Sequence, residues 1–219
     1  MQKTTNFSEW MIGFIILIPF FYLASIYNSL PEIVPIHFDL HGTPNGFGER
    51  STLILTTSLL GLVAAGCYLL IKNLPKIDPK KTAGQSPELY KKLAWALVIF
   101  MSALNLIIVF SAANKSINIT KLMLPMIGIL FSFLGYYMRD MQPSYFVGIR
   151  TPWTLENDDN WRETHKLASK IWVPGGVIVT VATLVLPETI AFICFITTII
   201  IISIIPIGYS YLYFKKHQQ

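Results

Sequence analysis

The sequence predicts an all-α, polytopic integral membrane protein of six transmembrane helices with both termini in the cytoplasm, and three observations carry that expectation. Only 13% of the 219 residues are charged while 53% are hydrophobic, whereas an ordinary globular domain carries about a quarter charged residues. The apolar residues arrive in six blocks, most of them close to the ~20 residues a helix needs to cross hydrocarbon. The positive charges fall unevenly between the segments that join the blocks.

The blocks are residues 10–30, 52–71, 93–113, 122–138, 171–186 and 189–214, and none contains Asp, Glu, Lys or Arg. A span free of charge avoids the cost of holding an ion in lipid, and a helix satisfies the backbone groups that lipid cannot. The first block is read as a retained span, because its apolar stretch is long and Ala24-Ser25 lacks a small-residue cleavage pattern. The fourth and fifth are the shortest. The fifth carries Pro174-Gly175-Gly176 near its start, where a lost helix hydrogen bond predicts a kink. Cys67 and Cys194 fall inside spans, which predicts apolar packing rather than a disulfide.

Lys and Arg beside spans tend to stay cytoplasmic. With the N-terminus inside, Lys3, Lys72, Lys76, Lys80, Lys81, Lys91, Lys92, Arg139, Arg150, Arg162, Lys166, Lys170, Lys215 and Lys216 lie on the cytoplasmic side, against Arg50, Lys115 and Lys121 outside. That ratio of 14 to 3 sets the orientation, and it explains the net charge of +5 without any direct contact to nucleic acid. The expected organisation is an N-terminal helical hairpin over 1–74 with a structured extracytoplasmic loop at 31–50, a flexible, basic, lipid-facing linker over 75–92, and a four-span region over 93–219 with a cytoplasmic cap at 139–170.

Two polar stretches carry the chemistry. In the outer loop, Thr43-Pro44-Asn45-Gly46 reads as a turn, and His37, Asp39 and His41 alternate, so one face of an extended strand would present all three. Imidazole and carboxylate suit Zn²⁺, but three ligands so close on one strand rarely close a tetrahedral site. Hydrogen bonding to neighbouring loops is the reading kept, and neither a metal nor another cofactor is assigned. In the cap, Thr151 before Pro152 reads as a helix N-cap, and Asp158 or Asp159 as the cap of a second helix that runs into the fifth span. Trp161, His165 and Ser169 then share a helix face, with Trp172 close by. The cap is read either as a surface for a cytoplasmic partner or as a structural element. In the second case Trp161 and Trp172 anchor the membrane interface while Arg150 pairs with Glu156, Asp158 or lipid phosphate.

Pro35-Ile-His-Phe-Asp39 with Gly42, Pro44 and Gly46 resembles an uncharacterised bacterial membrane domain that opens with such a loop. Phe146-Val-Gly-Ile-Arg-Thr-Pro-Trp-Thr154, followed by Asn160-Trp161 and Thr164-His165, resembles the core of the SdpI family of bacterial immunity proteins. Together the two resemblances span roughly residues 10–214. They imply a plasma-membrane protein that protects its cell from a secreted peptide toxin. In the best-known member, the toxin-occupied protein also holds a cytoplasmic winged-helix autorepressor at the membrane and so releases its operon. On that resemblance the toxin-facing loop residues are His37, Asp39, His41 and Asn45. The cytoplasmic signalling or structural motif is Gly148, Arg150, Pro152, Trp153, Asn160, Trp161 and His165.

Other classes find less support in the residues. A small-solute or peptide permease is the main alternative, yet ion coupling usually needs intramembrane charge, and the spans offer Asn105 with scattered Ser, Thr and Tyr. An enzyme lacks a starting motif, since the chain contains neither His-Glu-x-x-His nor Gly-x-Ser-x-Gly.

Overall fold

A computed structural model describes residues 2–80, 86–114 and 118–217. The expected Lys81 and Lys115 lie outside these residues, as does the side chain of Lys3. The elements run α1 (Gln2–Ile26), a 3₁₀ turn (Tyr27–Ser29), β1 (Ile33–Phe38), β2 (Pro44–Glu49), α2 (Ser51–Ile77), α3 (Pro87–Ala113), α4 (Ile119–Met138), α5 (Pro152–Glu156), α6 (Asp158–Val185) and α7 (Glu188–Lys216). Six of these segments are long and apolar enough to cross a membrane: Glu9–Ser29, α2, α3, α4, α6 and α7. The all-α, six-span expectation therefore holds, with one small addition. β1 and β2 form a two-stranded antiparallel hairpin within the 31–50 loop.

Several boundaries move. Helix α2 continues past residue 71 through Pro75 to Ile77, and α3 begins at Pro87. The segment joining them is therefore only residues 78–86. The fifth span is the apolar end of a 28-residue helix that runs unbroken through Pro174-Gly175-Gly176.

The chain divides into two compact units, Met1–Ile71 with Ala94–Met123, and Lys72–Leu93 with Leu124–Gln219. In the first, Val34 of β1 is fully buried among Leu23, Leu30, Leu53, Val109 and Ala112, so one strand residue fastens the hairpin to the helix ends. Farther along, Asn105 is buried and donates to the Thr57 carbonyl at 3.1 Å.

The second unit is held by small residues that let backbones approach, as is usual for helices in lipid. A Cβ on Gly128 of α4 would sit 2.5 Å from Thr180 Oγ1 and 2.7 Å from the Gly176 carbonyl. One on Gly135 would sit 2.6 Å from Trp172 Cβ, and one on Gly175 would sit 2.7 Å from Ile202 on α7. Ser132 Oγ donates to the Val173 carbonyl at 3.1 Å, and Trp172 Nε1 donates to the Ile202 carbonyl at 2.8 Å. The Pro-Gly-Gly run thus serves contact, with Gly175 turned to α7 and Gly176 to α4.

Candidate functional site

The residues of the 141–165 motif converge within the second unit, and local chemistry accounts for each step. Thr151 adopts an extended conformation and caps α5: its side chain accepts from the Thr154 N–H while Thr154 Oγ1 accepts from the Thr151 N–H at 2.9 Å. Pro152 follows at the first helical position, where a missing N–H costs nothing. Directly after α5 ends at Glu156, Asn157 caps α6, accepting from the Asp159 and Asn160 N–H groups at 2.9 Å each. This corrects the expected cap by one position. Asp158 and Asp159 instead occupy the first turn, where their charge complements the helix dipole.

The first turns of α6 then direct a buried face inward. Asn160, Trp161, Thr164, His165 and Ala168 are all completely buried. Trp161 stacks on His165 with ring centroids 4.1 Å apart, and its Nε1 donates to the Met141 carbonyl at 2.9 Å. Trp161 is therefore a core residue and not an interface anchor. His165 Nε2 accepts from the Ile149 N–H at 3.0 Å, which leaves Nδ1 to donate to the Trp161 carbonyl at 2.8 Å. That pattern fixes a neutral imidazole with its proton on Nδ1, because a protonated Nε2 would meet the Ile149 donor head on. Gly148 closes over both rings at φ 112°. A Cβ there would lie 2.6 Å from His165 Nε2 and 2.7 Å from Trp161 Cη2.

Helix α7 completes the cluster, with Ser210 supplying the hydrogen bonds. Ser210 is fully buried, its Oγ accepts from Trp153 Nε1 at 2.6 Å, and its carbonyl accepts from Asn160 Nδ2 at 2.9 Å. Trp153 also packs edge-on to Tyr211 and stacks on Phe214. Asn160 Oδ1 accepts from Thr164 Oγ1 at 3.0 Å, so both ends of that buried amide are occupied, as a buried polar group requires. Gly148, Trp153, Asn160, Trp161 and His165 thus share one polar core, while Pro152 is exposed at the start of α5. Arg150 does not join them. It is exposed, and its guanidinium donates to the Tyr145 carbonyl at 2.7 Å instead of pairing with Glu156 or Asp158.

A second anchor comes from the segment after α2. Asp78, buried inside a stretch otherwise rich in lysine, accepts from Ser144 Oγ at 2.6 Å and from the Tyr145 N–H at 3.2 Å. It also accepts from the Lys80 N–H at 2.9 Å. Lys80 forms an ion pair with Asp158 at 3.1 Å and donates to the Leu155 carbonyl. The described part of the supposed flexible linker is therefore folded onto the 141–158 segment, and Lys80 does not face lipid. Asp78, Ser144, Asn157 and Ser210 were not singled out in the sequence.

In the first unit the hairpin departs from the expected turn. Its reversal spans residues 39–43, not 43–46. Asp39 Oδ1 accepts from the His41 and Thr43 N–H groups at 2.9 and 2.8 Å, a side-chain turn that Asp forms readily. Gly42 takes φ 71° behind it. Pro44, Asn45 and Gly46 consequently belong to β2, and the side-chain Oδ1 of Asn45 bonds across to His37 Nδ1. The His41 carbonyl accepts from Asn118 Nδ2 at 2.7 Å, while Asn118 Oδ1 accepts from the Lys121 N–H at the start of α4. Because β1 ends at Phe38, only His37 of the three alternating residues stands on a strand. Among the described residues no three His, Cys, Asp or Glu side chains are placed to hold a metal. A cleft of about 320 Å³ runs beside β1, bounded on its other side by residues of α2, α3 and α4.

Residues 140–210 match the model of the SdpI/YfhL protein family, and residues 14–62 match a domain of unknown function (DUF1648). The first match contains the whole buried cluster around Trp161 and His165, and the second contains the hairpin. Immunity protein SdpI of Bacillus subtilis (strain 168) is 26% identical over 204 residues, which cover 92% of this chain and 94% of that protein. No solved structure matches the chain. The resemblance read from the Gly148–Thr154 and Asn160–His165 motifs is borne out. With six candidate spans, the chain is a multi-pass protein of the plasma membrane.

Proposed function

We propose, from the likeness to Immunity protein SdpI as a premise, that this chain protects its cell against a secreted, membrane-active peptide toxin. The hairpin meets that toxin outside the cell, and residues 139–170 lie in the cytoplasm. The observation that carries this reading is that the similarity extends along nearly the whole of both chains and includes both structured polar segments, not the spans alone. Shared lipid-facing apolar sequence would be a weak guide, because any membrane helix is rich in the same few residues.

The cap supports a second, dependent role. Tyr145, Phe146 and Arg150 are exposed beside the buried Gly148–Trp161–His165 cluster, and an aromatic and basic surface of this kind suits a protein partner. A cytoplasmic autorepressor docked there would couple toxin arrival to gene expression.

Survival tests the first role. The chain is expressed in a peptide-sensitive Gram-positive strain, its insertion is verified in membrane fractions, and a killing peptide is titrated. The expected outcome is a higher lethal concentration than for cells with empty vector. Unchanged killing with insertion intact would remove the immunity reading and bring solute transport forward, to be assayed as uptake into proteoliposomes.

A further inference from the structure

We propose that the cleft beside β1 binds an extended peptide segment as a third strand, with apolar side chains in the cleft and a cationic group against Asp39. This rests on the immunity reading for its biological setting but not for its chemistry.

The wall of the cleft formed by residues 35–39 is consecutive in sequence. A sheet face would present only alternate residues, so the cleft runs along an edge of β1. The other edge is taken by β2, from Ile33 opposite Glu49 to Phe38 opposite Pro44. In an antiparallel pair the backbone N–H and C=O groups of alternate residues point away from the partner strand, and an edge of this kind is a ready template for an incoming chain. The ladder is irregular between Pro35 and His37, which leaves Ile36 without a cross-strand partner and exposed.

The opposite wall, from Leu53, Thr56, Ile108, Ile119, Thr120 and Met123, is apolar apart from two hydroxyls. Its volume of about 320 Å³ lies at the low end for ligand clefts, about 300 Å³, and suits a few side chains rather than a folded domain. Charge at the end of the cleft selects among apolar segments. Asp39 lines it, and only Oδ1 of its carboxylate is engaged, by His41 and Thr43. Oδ2 accepts no hydrogen bond among the described residues. A lysine, an arginine or a free peptide amino terminus would complete it.

The probe is a fluorescent octapeptide of alternating valine and serine ending in lysine, titrated against the full chain in nanodiscs and followed by anisotropy. Methylating alternate backbone nitrogens should weaken binding about tenfold or more, because each lost strand hydrogen bond is worth roughly 1 kcal/mol. Asp39→Asn, whose amide oxygen can keep the turn, should weaken the lysine-ended peptide severalfold and leave a glutamine-ended one unchanged. Thr56→Trp should fill the cleft and abolish binding of both, with unaltered thermal unfolding as the control for folding.

Equal binding of the methylated peptide, or binding indifferent to both substitutions, would mean the peptide partitions into lipid and would overturn the proposal. Absence of binding would do the same. Protection of cells without peptide binding overturns this cleft and spares the immunity reading; binding without protection does the reverse.

Discussion

At Gly148 a left-handed backbone and two aromatic rings meet, and either alone would disfavour a larger residue. Gly148→Ala should destabilise the protein by about 2–4 kcal/mol, from the strained φ and from overpacking against Trp161 and His165. The measurement is the unfolding midpoint of purified protein in mild detergent, and a variant as stable as the parent would show that the rings move aside cheaply. His165→Phe separates shape from hydrogen bonding at the neighbouring position. The phenyl ring keeps the stack on Trp161 but offers the Ile149 N–H no acceptor. A loss of about 1–3 kcal/mol is expected on the same assay, the usual cost of an orphaned buried donor. The motif that contains these residues was legible in the sequence, whereas the distant residues that anchor it were not. Nothing near Asp78 announces Ser144, 66 residues away, and Ser210 is one more hydroxyl in an apolar helix. Long-range hydrogen bonds leave no periodicity to read.

Among elements, the helices were the easier half. Hydropathy located all six spans because lipid imposes length and composition together, yet it misplaced several ends. It could not see α2 running on through Pro75, since a helix leaving hydrocarbon need not stop there, whereas the capping signal near residue 158 did show the cap helix running on into the fifth span. The hairpin misled for a different reason. Asn45-Gly46 is the stronger textual turn signal, but Asp39 gains two backbone donors by folding the chain four residues earlier, and Asn45 is then free to reach His37. Asp39→Ala should therefore loosen the reversal, seen as faster amide exchange over residues 39–43, while Asn45→Ala should leave that segment protected. Helix α6 gives a sharper test through Gly176, whose missing Cβ admits the Gly128 carbonyl and Ser132. Gly176→Leu should force α4 and α6 apart and lower the unfolding midpoint by several degrees, whereas Gly208→Leu, with nothing within 4 Å, should leave it unchanged.

For the whole molecule, the 14 to 3 distribution of positive charge makes a prediction about sidedness that cysteine labelling can read. With Cys67 and Cys194 replaced by alanine, Asn45→Cys should react with a membrane-impermeant maleimide on intact cells. Arg162→Cys should react only after the cells are opened. The opposite pattern would invert the protein and move the hairpin to the cytoplasm.

Ser210 lies on α7, yet it receives Trp153 and Asn160 from the cap and the first turn of α6, some 50 residues earlier. Synthesis runs from the N-terminus, so those residues leave the ribosome with an amide and an indole that stay unmatched until α7 has been made. Closure of the polar core therefore waits for α7. A product that stops just before Ser210 would keep most of the apolar length of α7, and would carry an unquenched pair of donors that quality-control proteases could sense.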